Sequence, residues 1–400
     1  MLTVLHGFLM RFVALFVSIA SLFGFSISTG TGTEDASTEY MNVFVNGYMG
    51  WGSYDWYYDI LAYWGFLGGD AMFEIDLDGY NVVYASCSGM DSTWDRCCEL
   101  YAQLTGTVVD YGEAHSAKYN HDRYGEDYTG KGLLEDYDWS EENKINLYGH
   151  SFGGATVRLL ASLLEYGSEE EVAATGDDTS ELFTGGHFGL IYSITTLSSP
   201  HNGTSAYEAV MYTEEGDFFY LYNCYLDYTV WVFDIITGLQ SNGDGTYMED
   251  TASYDMQIDN AMALNETIYT CEDIYYFSYA TCATVEDEDT GYQVPSSIFS
   301  IENLFYTRSL AMGKTSYTTA AGYEVDEKWW ANDGLVNTYS ALAPIGAPQT
   351  EYSDDIELTT GIWYIMPVVE GDHTYYMGDL LLTKDAVSIL EEVIDFINLI

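Results

Sequence analysis

Short strand-like runs alternate with longer amphipathic stretches along most of the chain. The strand candidates are apolar and rich in β-branched or aromatic residues, and Gly, Asn or Asp bound several of them: residues 42–45, 81–84, 144–148, 189–197, 274–279 and 363–369. Apolar positions recur with helical spacing in residues 94–104, 156–165 and 386–397. Strands that alternate with helices predict an α/β fold, with a mostly parallel central sheet and helices on both faces.

The beginning of the chain has the pattern of an export signal. Residues 1–10 are nearly uncharged, and Arg11 precedes an apolar run over residues 12–25 that ends in small residues. The run is shorter than the roughly 20 residues of a membrane-spanning helix, which favours a cleaved signal over residues 1–28 and a secreted protein over a retained anchor. Residues 29–39 are rich in Thr, Gly and Ser and predict a flexible leader, so the folded domain is expected over residues 40–400.

The chain is strongly acidic, with 63 acidic and 11 basic residues and a formal charge of −52. This charge repels nucleic acids and excludes them as partners; it also indicates a saline setting or bound cations. The 38 Tyr and 9 Trp residues supply apolar area for a folded core. The six cysteines form no C-x-x-C pair, and in an exported chain the pair expected from sequence proximity is a disulfide between Cys271 and Cys282.

A G-x-S-x-G motif occupies residues 149–153, directly after the strand candidate 144–148 and before a helical stretch that begins near Gly154. A sharp turn from strand to helix strains the backbone of Ser151, and a glycine two residues away on each side removes side chains that would collide. The motif in this position predicts a nucleophile elbow with Ser151 as the nucleophile. The alternative is an ordinary turn capped by serine.

A catalytic acid and then a histidine are expected after the serine in this type of fold. The histidines that follow Ser151 are His187, His201 and His373. His373 is favoured because it comes just after the last strand candidate. Asp333, in an Asn-Asp-Gly loop, is the expected acid, although a simple turn has the same local pattern. The oxyanion donors are expected to be the backbone N–H groups of Phe152 and of Tyr48, in the glycine-rich turn after the first strand.

Potential metal ligands cluster in one segment. Asp95, His115 and His121 lie within 27 residues of one another, and two histidines with a carboxylate suit zinc. The alternative is a polar insertion with surface histidines.

The run W-D-R-C-C-E-L-Y-A-Q-L over residues 94–104, followed by V-D-Y-G and then His115, closely resembles the zinc-containing triacylglycerol lipases of thermophilic bacilli and staphylococci. The resemblance extends over about residues 42–373 and includes the elbow, the S-P-H-N-G-T stretch, the N-D-G loop and the His373 segment in the family's order. It implies an α/β-hydrolase fold with a zinc-binding insertion at about residues 91–135 and a helical lid at about residues 204–245.

The same resemblance implies roles for individual residues. The implied catalytic triad is Ser151, Asp333 and His373. The implied ligands of a structural zinc are Asp95, His115, His121 and Asp255, which would leave no open position on the metal.

The chain also departs from the family at several positions. Asn46 replaces the usual histidine before the oxyanion glycine, and Phe152 replaces the usual glutamine after the nucleophile. Because the oxyanion donors are backbone groups, neither change threatens them. Tyr375 replaces a glutamate of the family's calcium site, so calcium is expected to be lost or rebuilt around Asp379.

The expected function is that of a secreted lipase, which cleaves acylglycerol esters at an oil–water interface through an acyl-enzyme. No stable protein partner is implied. Two alternatives remain at this stage: a carboxylesterase for short acyl chains, and a secreted binding protein that keeps the hydrolase scaffold without turnover.

Overall fold

The computed structural model describes residues 40–66, 68–209, 237–243, 246–297, 305–378 and 384–400. The predicted signal and leader, most of the predicted lid, and Asp379 with the calcium site expected around it lie outside these residues. Within the described ranges, no helix has both the length and the apolar character needed to cross a membrane.

The strands and helices of the described residues follow the alternation expected from the sequence. The strands are, in chain order, β1 (Met41–Val45), β2 (Val82–Tyr84), β3 (Val108–Asp110), β4 (Tyr124–Asp127), β5 (Ile145–His150), β6 (Ile191–Leu197), β7 (Tyr275–Tyr279), β8 (Thr281–Cys282), β9 (Thr284–Glu286), β10 (Gln293–Pro295), β11 (Tyr317–Thr318), β12 (Glu324–Val325), β13 (Gln349–Glu351), β14 (Trp363–Ile365) and β15 (Val369–Glu370). The α-helices are α1 (Ala71–Leu77), α2 (Thr93–Thr105), α3 (Glu113–Tyr119), α4 (Gly153–Tyr166), α5 (Glu169–Thr175), α6 (Glu181–Thr184), α7 (Ala252–Asp255), α8 (Ile258–Asn265), α9 (Tyr306–Met312), α10 (Thr338–Leu342) and α11 (Ala386–Asn398).

A seven-stranded sheet in the order β13-β14-β7-β6-β5-β1-β2 forms the centre of the fold. Every neighbouring pair in it is parallel. All six residues of β5 are buried, as expected for a central strand covered on both faces. The carboxyl ends of parallel strands lie along one edge of a sheet, which is where α/β folds place their ligands.

Alternate residues of the central strands belong to two separate cores. Val43 and Leu147 lie in one core, whereas the next residues in sequence, Phe44 and Tyr148, lie in the other. The rings of Phe44 and Tyr148 are stacked, with centroids 4.5 Å apart. The two-residue period of a strand therefore places side chains on both faces of the sheet.

Helices cover each of these cores. Leu100 of α2 and Leu160 of α4 are buried in the same core as Leu147. Met72 of α1 and Leu390 of α11 are buried in the opposite core. The prediction of a mostly parallel sheet with helices on both faces is confirmed.

Two details differ from the sequence-based expectation. The last strand predicted, residues 363–369, is divided into β14 and the separate short strand β15. Cys271 and Cys282 are both free thiols, so the predicted disulfide is wrong. They flank β7, whose five residues alone span about 17 Å, whereas a disulfide requires Cα atoms within about 7 Å.

Candidate active site and metal cluster

Ser151 occupies a sharp turn between β5 and α4, and its φ angle is +54°. Close packing on both sides requires the two glycines of the motif. A Cβ atom on Gly149 would lie 2.6 Å from the carbonyl carbon of Gly153, and one on Gly153 would lie 2.5 Å from the carbonyl oxygen of Val45. The Ser151 N–H donates to the carbonyl oxygen of Leu197 at 2.8 Å, which ties the turn to β6. The strained backbone is thus fixed by its surroundings, as in a nucleophile elbow.

The structure brings Ser151, His373 and Asp333 into one hydrogen-bonded line. Ser151 Oγ lies 2.8 Å from His373 Nε2, and His373 Nδ1 lies 2.8 Å from Asp333 Oδ2. The Asp333 carboxylate can only accept, so Nδ1 of His373 carries the proton and Nε2 is left with a lone pair towards the serine hydroxyl. All three side chains are buried, with exposed fractions of 6%, 5% and 1% in the order serine, histidine, aspartate.

The carboxylate of Asp333 is held by more than the histidine. Its Oδ1 accepts the backbone N–H groups of Leu335 and Val336 at 3.0 and 2.7 Å. Its Oδ2 also accepts the hydroxyl of Thr281 at 2.9 Å. Donors on both oxygens fix the orientation of the carboxylate towards His373.

The glycine-rich turn after β1 lies directly against the elbow. A Cβ atom on Gly47 would lie only 2.6 Å from the Cβ atom of Ser151, so the turn that carries Tyr48 lies directly against Ser151. Phe152 directly precedes α4, which begins at Gly153, and its N–H lies at the amino end of that helix, where the first N–H groups have no acceptors within the helix. The two predicted oxyanion residues thus both lie next to Ser151, one in the turn after β1 and one at the start of α4.

Asn46 has a structural role in this turn. Its Nδ2 donates to the carbonyl oxygen of Cys87 at 2.9 Å, and its Oδ1 accepts the Cys87 N–H at 3.0 Å. The side chain therefore pairs with the backbone at the carboxyl end of β2 and holds the turn next to it.

A residue that the sequence analysis missed, Arg96, also supports the turn. It is fully buried in α2, and its guanidinium donates to the carbonyl oxygens of Asn46 and Ser88 and to the Thr156 hydroxyl. The same guanidinium lies 5.3 Å from the centre of the Phe152 ring, within the range of a cation–π contact. The available signal was an arginine one helical turn before Leu100, on the apolar side of α2.

The two other histidines considered from the sequence lie outside this site. His187 Nε2 lies 3.1 Å from the Thr184 hydroxyl. His201 is buried after β6, where it contacts Thr196 and Arg158.

A second cluster of chemically active side chains joins α2, the α3 region and the segment before α7. Asp95, His115, His121 and Asp250 each place a potential ligand atom within 4.8 Å of the other three. His115 Nε2 lies 3.0 Å from Asp95 and 3.1 Å from Asp250. Although burial alone lowers it, the pKa of His115 is raised to about 9 by hydrogen bonds to Asp250 and Asp95.

This cluster corrects one of the four ligands expected from the family resemblance. Asp255 is not in it; its Oδ2 accepts the backbone N–H of Thr93 at 2.7 Å. Asp250 is the fourth potential ligand instead. Asp250 has a φ angle of +63°, a backbone conformation that aspartate adopts more readily than most residues.

The donor set of the cluster fits a zinc ion. His121 Nδ1 lies 2.9 Å from the backbone carbonyl oxygen of Asp122, so Nδ1 carries the proton and Nε2 has a free lone pair. That Nε2 is buried and has no hydrogen bond among the described residues. Imidazole nitrogens and carboxylate oxygens are both zinc ligands, and four of them suffice for a tetrahedral shell.

Comparison with known proteins shows that the chain is similar to bacterial lipases. Residues 38–216 and 239–400 match the sequence model of the family described as lipase-like, C-terminal domain. Lipase 2 of Staphylococcus aureus is 34% identical over 364 residues, which cover 85% of this chain and 50% of that protein. The chain therefore spans about half the length of the curated relatives it matches.

Solved structures agree with the sequence comparison. EstA from Clostridium botulinum has a TM-score of 0.75 and 30% identity, over 94% of this chain and 92% of that one. Staphylococcus hyicus lipase has a TM-score of 0.72 and 28% identity, over 92% of this chain and 98% of that one. The predicted resemblance to staphylococcal lipases and the predicted α/β-hydrolase fold are confirmed.

Proposed function

Because the chain belongs to the family of lipase-like C-terminal domains, we propose that it is a lipase that hydrolyses the carboxylic ester bonds of acylglycerols. The observation that carries this proposal is the line of hydrogen bonds from Ser151 through His373 to Asp333. It lies at the edge of the sheet where the parallel strands end, on a backbone turn that exposes a nucleophile.

In the first half of the proposed reaction, Ser151 Oγ attacks the carbonyl carbon of the ester while His373 Nε2 takes the hydroxyl proton. The carbonyl oxygen becomes an oxyanion that the N–H groups of Tyr48 and Phe152 stabilise. The imidazolium on His373 is stabilised by Asp333. The tetrahedral intermediate then expels the alcohol, which takes the proton from Nε2, and leaves an acyl group on Ser151.

In the second half, water replaces the alcohol. His373 Nε2 removes a proton from the water as it attacks the acyl carbon, and the second tetrahedral intermediate releases the carboxylic acid. Ser151 recovers its proton from His373. Each proton taken by the imidazole is thus returned within the cycle, and no cofactor enters the chemistry.

We also propose that Asp95, His115, His121 and Asp250 hold a structural zinc ion. Four protein ligands would complete a tetrahedral shell, so the metal would tie α2, α3 and the segment before α7 together and would take no part in ester cleavage. The pattern of residues 1–28 supports the further proposal that the protein is secreted.

The test compares the hydrolysis of an emulsified long-chain triacylglycerol with that of a soluble short-chain ester, at several salt concentrations. Activity on the emulsion that disappears in Ser151→Ala would support the lipase. Activity on the soluble ester alone would favour the carboxylesterase. No activity on either substrate, from folded and zinc-loaded protein, would overturn both in favour of a scaffold without turnover.

A further inference from the structure

The residue before the proposed nucleophile is a buried histidine that takes part in no step of the reaction described above. His150 ends β5, and only 1% of it is exposed. Its ring centroid lies 5.1 Å from that of His373. Both ring nitrogens of a buried imidazole need hydrogen-bond partners. The partners of His150 therefore show which groups its ring connects.

These partners fix the tautomer of His150. Its Nε2 lies 3.0 Å from the backbone carbonyl oxygen of His373. That oxygen can only accept, so Nε2 of His150 carries the proton and donates. The other nitrogen, Nδ1, then accepts the hydroxyl proton of Tyr63 at 2.6 Å.

The Tyr63 hydroxyl extends the connection to the oxyanion turn. Its oxygen accepts the backbone N–H of Gly47 at 2.9 Å. Tyr63 is itself buried, with 3% exposed. One series of hydrogen bonds therefore runs from Gly47 through Tyr63 and His150 to the backbone of His373. Its member His150 directly precedes Ser151 in the chain.

The three connected segments are those that the reaction needs at fixed distances. Gly47 precedes Tyr48 of the oxyanion turn, His150 precedes Ser151, and His373 is the base. There is little room for them to shift, because a Cβ atom on Gly47 would lie 2.6 Å from Ser151 Cβ and 3.0 Å from Tyr63 Oη. Small displacements of reacting groups cost large factors in rate.

We propose that His150, with Tyr63 as its partner, is a positioning residue that keeps the oxyanion turn and the base His373 in register with Ser151. This inference rests on the proposed function and adds to it two side chains that touch no substrate.

The environment keeps the ring in the required state. Burial, with the neighbouring His373 as a smaller cause, lowers the pKa of His150 to about 3. A proton on Nδ1 would remove the acceptor of the Tyr63 hydroxyl. It would also place a positive charge beside the imidazolium that forms on His373 during the reaction.

The first experiment measures kcat and KM for a soluble p-nitrophenyl ester, together with the midpoint of thermal unfolding. The variants are His150→Leu, His150→Gln and Tyr63→Phe. The control is His201→Gln, because His201 is also a buried histidine, with 3% exposed, and hydrogen-bonds to Thr196 outside the triad.

For His150→Leu we expect kcat to fall about tenfold or more with KM nearly unchanged, because displaced catalytic groups lower the rate of the chemical step. His150→Gln keeps an N–H donor near the His373 carbonyl oxygen, so it should retain more of the wild-type kcat than His150→Leu. The kcat of Tyr63→Phe should lie between those of wild type and His150→Leu. The control should keep its kcat even if its unfolding midpoint falls.

Two results would overturn the proposal: a kcat for His150→Leu within about twofold of wild type, or kcat losses that follow the unfolding midpoints across all variants, the control included.

A second measurement needs neither turnover nor a folded variant at position 150. In wild-type protein labelled with 15N in its histidines, the His150 ring should show the neutral tautomer with the proton on Nε2. Tyr63→Phe, which removes the donor to Nδ1, identifies the resonance by its shift. The opposite tautomer or a charged ring near neutral pH would overturn the proposal. Inactive wild-type protein with the expected tautomer would count against the proposed function instead.

Discussion

The hydroxyl of Tyr48 lies 3.1 Å from Ser253 Oγ and 3.3 Å from Gln240 Oε1. Tyr48 belongs to the turn that supplies one proposed oxyanion donor, whereas Ser253 lies in α7, three residues after Asp250 of the metal cluster. A single side chain therefore links the backbone next to the proposed nucleophile with the segment that completes the metal cluster.

This link predicts the effect of Tyr48→Phe. The substitution keeps the backbone N–H and the ring but removes the hydroxyl, so the turn loses a polar contact worth about 1 kcal/mol. We expect kcat/KM for a soluble ester to fall about fivefold. Tyr269→Phe is the matched control, because Tyr269 is 57% exposed. Equal kcat/KM for both variants would contradict the prediction.

Asp333→Asn should lower kcat roughly a thousandfold or more. The oxygen of the new amide would stay with the N–H groups of Leu335 and Val336, which would turn its NH2 group towards His373 Nδ1. Nδ1 would then have to accept, and the proton would move to Nε2, which could no longer take one from Ser151. Single-turnover kinetics on a p-nitrophenyl ester measure the loss, and a decrease below tenfold would argue against Asp333 as the acid.

The metal cluster predicts different outcomes for two nearby aspartates. Asp250→Asn should abolish the retention of zinc and lower the midpoint of thermal unfolding by roughly 5 °C or more, as removal of zinc from wild type by a chelator should. Asp255→Asn should keep one zinc per chain. Elemental analysis after gel filtration distinguishes them, and zinc lost only from the Asp255 variant would restore the ligand set expected from the sequence.

Gly47→Ala should abolish esterase activity in a protein that still folds around its central sheet. The new methyl group would lie 2.6 Å from Ser151 Cβ, so the oxyanion turn or the elbow must move. Circular dichroism checks the fold, and wild-type activity in Gly47→Ala would contradict the close packing.

Glu165, which is 6% exposed, predicts a pH dependence of stability. Burial, together with the neighbouring Asp273 carboxyl group, raises its pKa to about 8. Between its unfolded pKa of about 4.3 and that folded value, the unfolded chain releases the proton and the folded protein keeps it, so the free energy of unfolding falls as pH rises.

The matching variant is Glu165→Gln, which cannot titrate. Its free energy of unfolding relative to wild type should therefore increase by about 3 kcal/mol from pH 5 to pH 8. Urea denaturation at the two pH values measures this difference. A constant difference would show that Glu165 has the same pKa in both states.

The sequence predicted those features of the fold and the site that depend on local residue patterns and on the order of residues along the chain. The short apolar runs around Phe44 and Tyr148 indicated strands of a mostly parallel sheet, because side chains on both faces of a covered strand are buried. The glycines around Ser151 indicated the elbow because only a chain without side chains at those positions can make that turn. The order of Asp333 and His373 after Ser151 was enough to select two residues that the structure brings to the serine.

The remaining details depend on contacts that local pattern does not contain. Asp250 and Asp255 lie five residues apart in one stretch, and residue types alone do not decide which carboxylate faces His115 and His121. Cys271 and Cys282 are close in sequence, yet β7 between them is fully extended. Arg96 was missed because most of its partners are backbone carbonyl groups, which leave no trace in the residue types.

The bond between Ser151 and His373 joins residues 222 positions apart. A ribosome completes the elbow, with β5 and the first turns of α4, well before it makes the base. A growing chain would therefore carry the proposed nucleophile without the proposed base. It would acquire the complete line of hydrogen bonds only after β14 and the segment beyond it had been synthesised and had docked. Ester cleavage by this protein would thus report that the whole sheet has assembled.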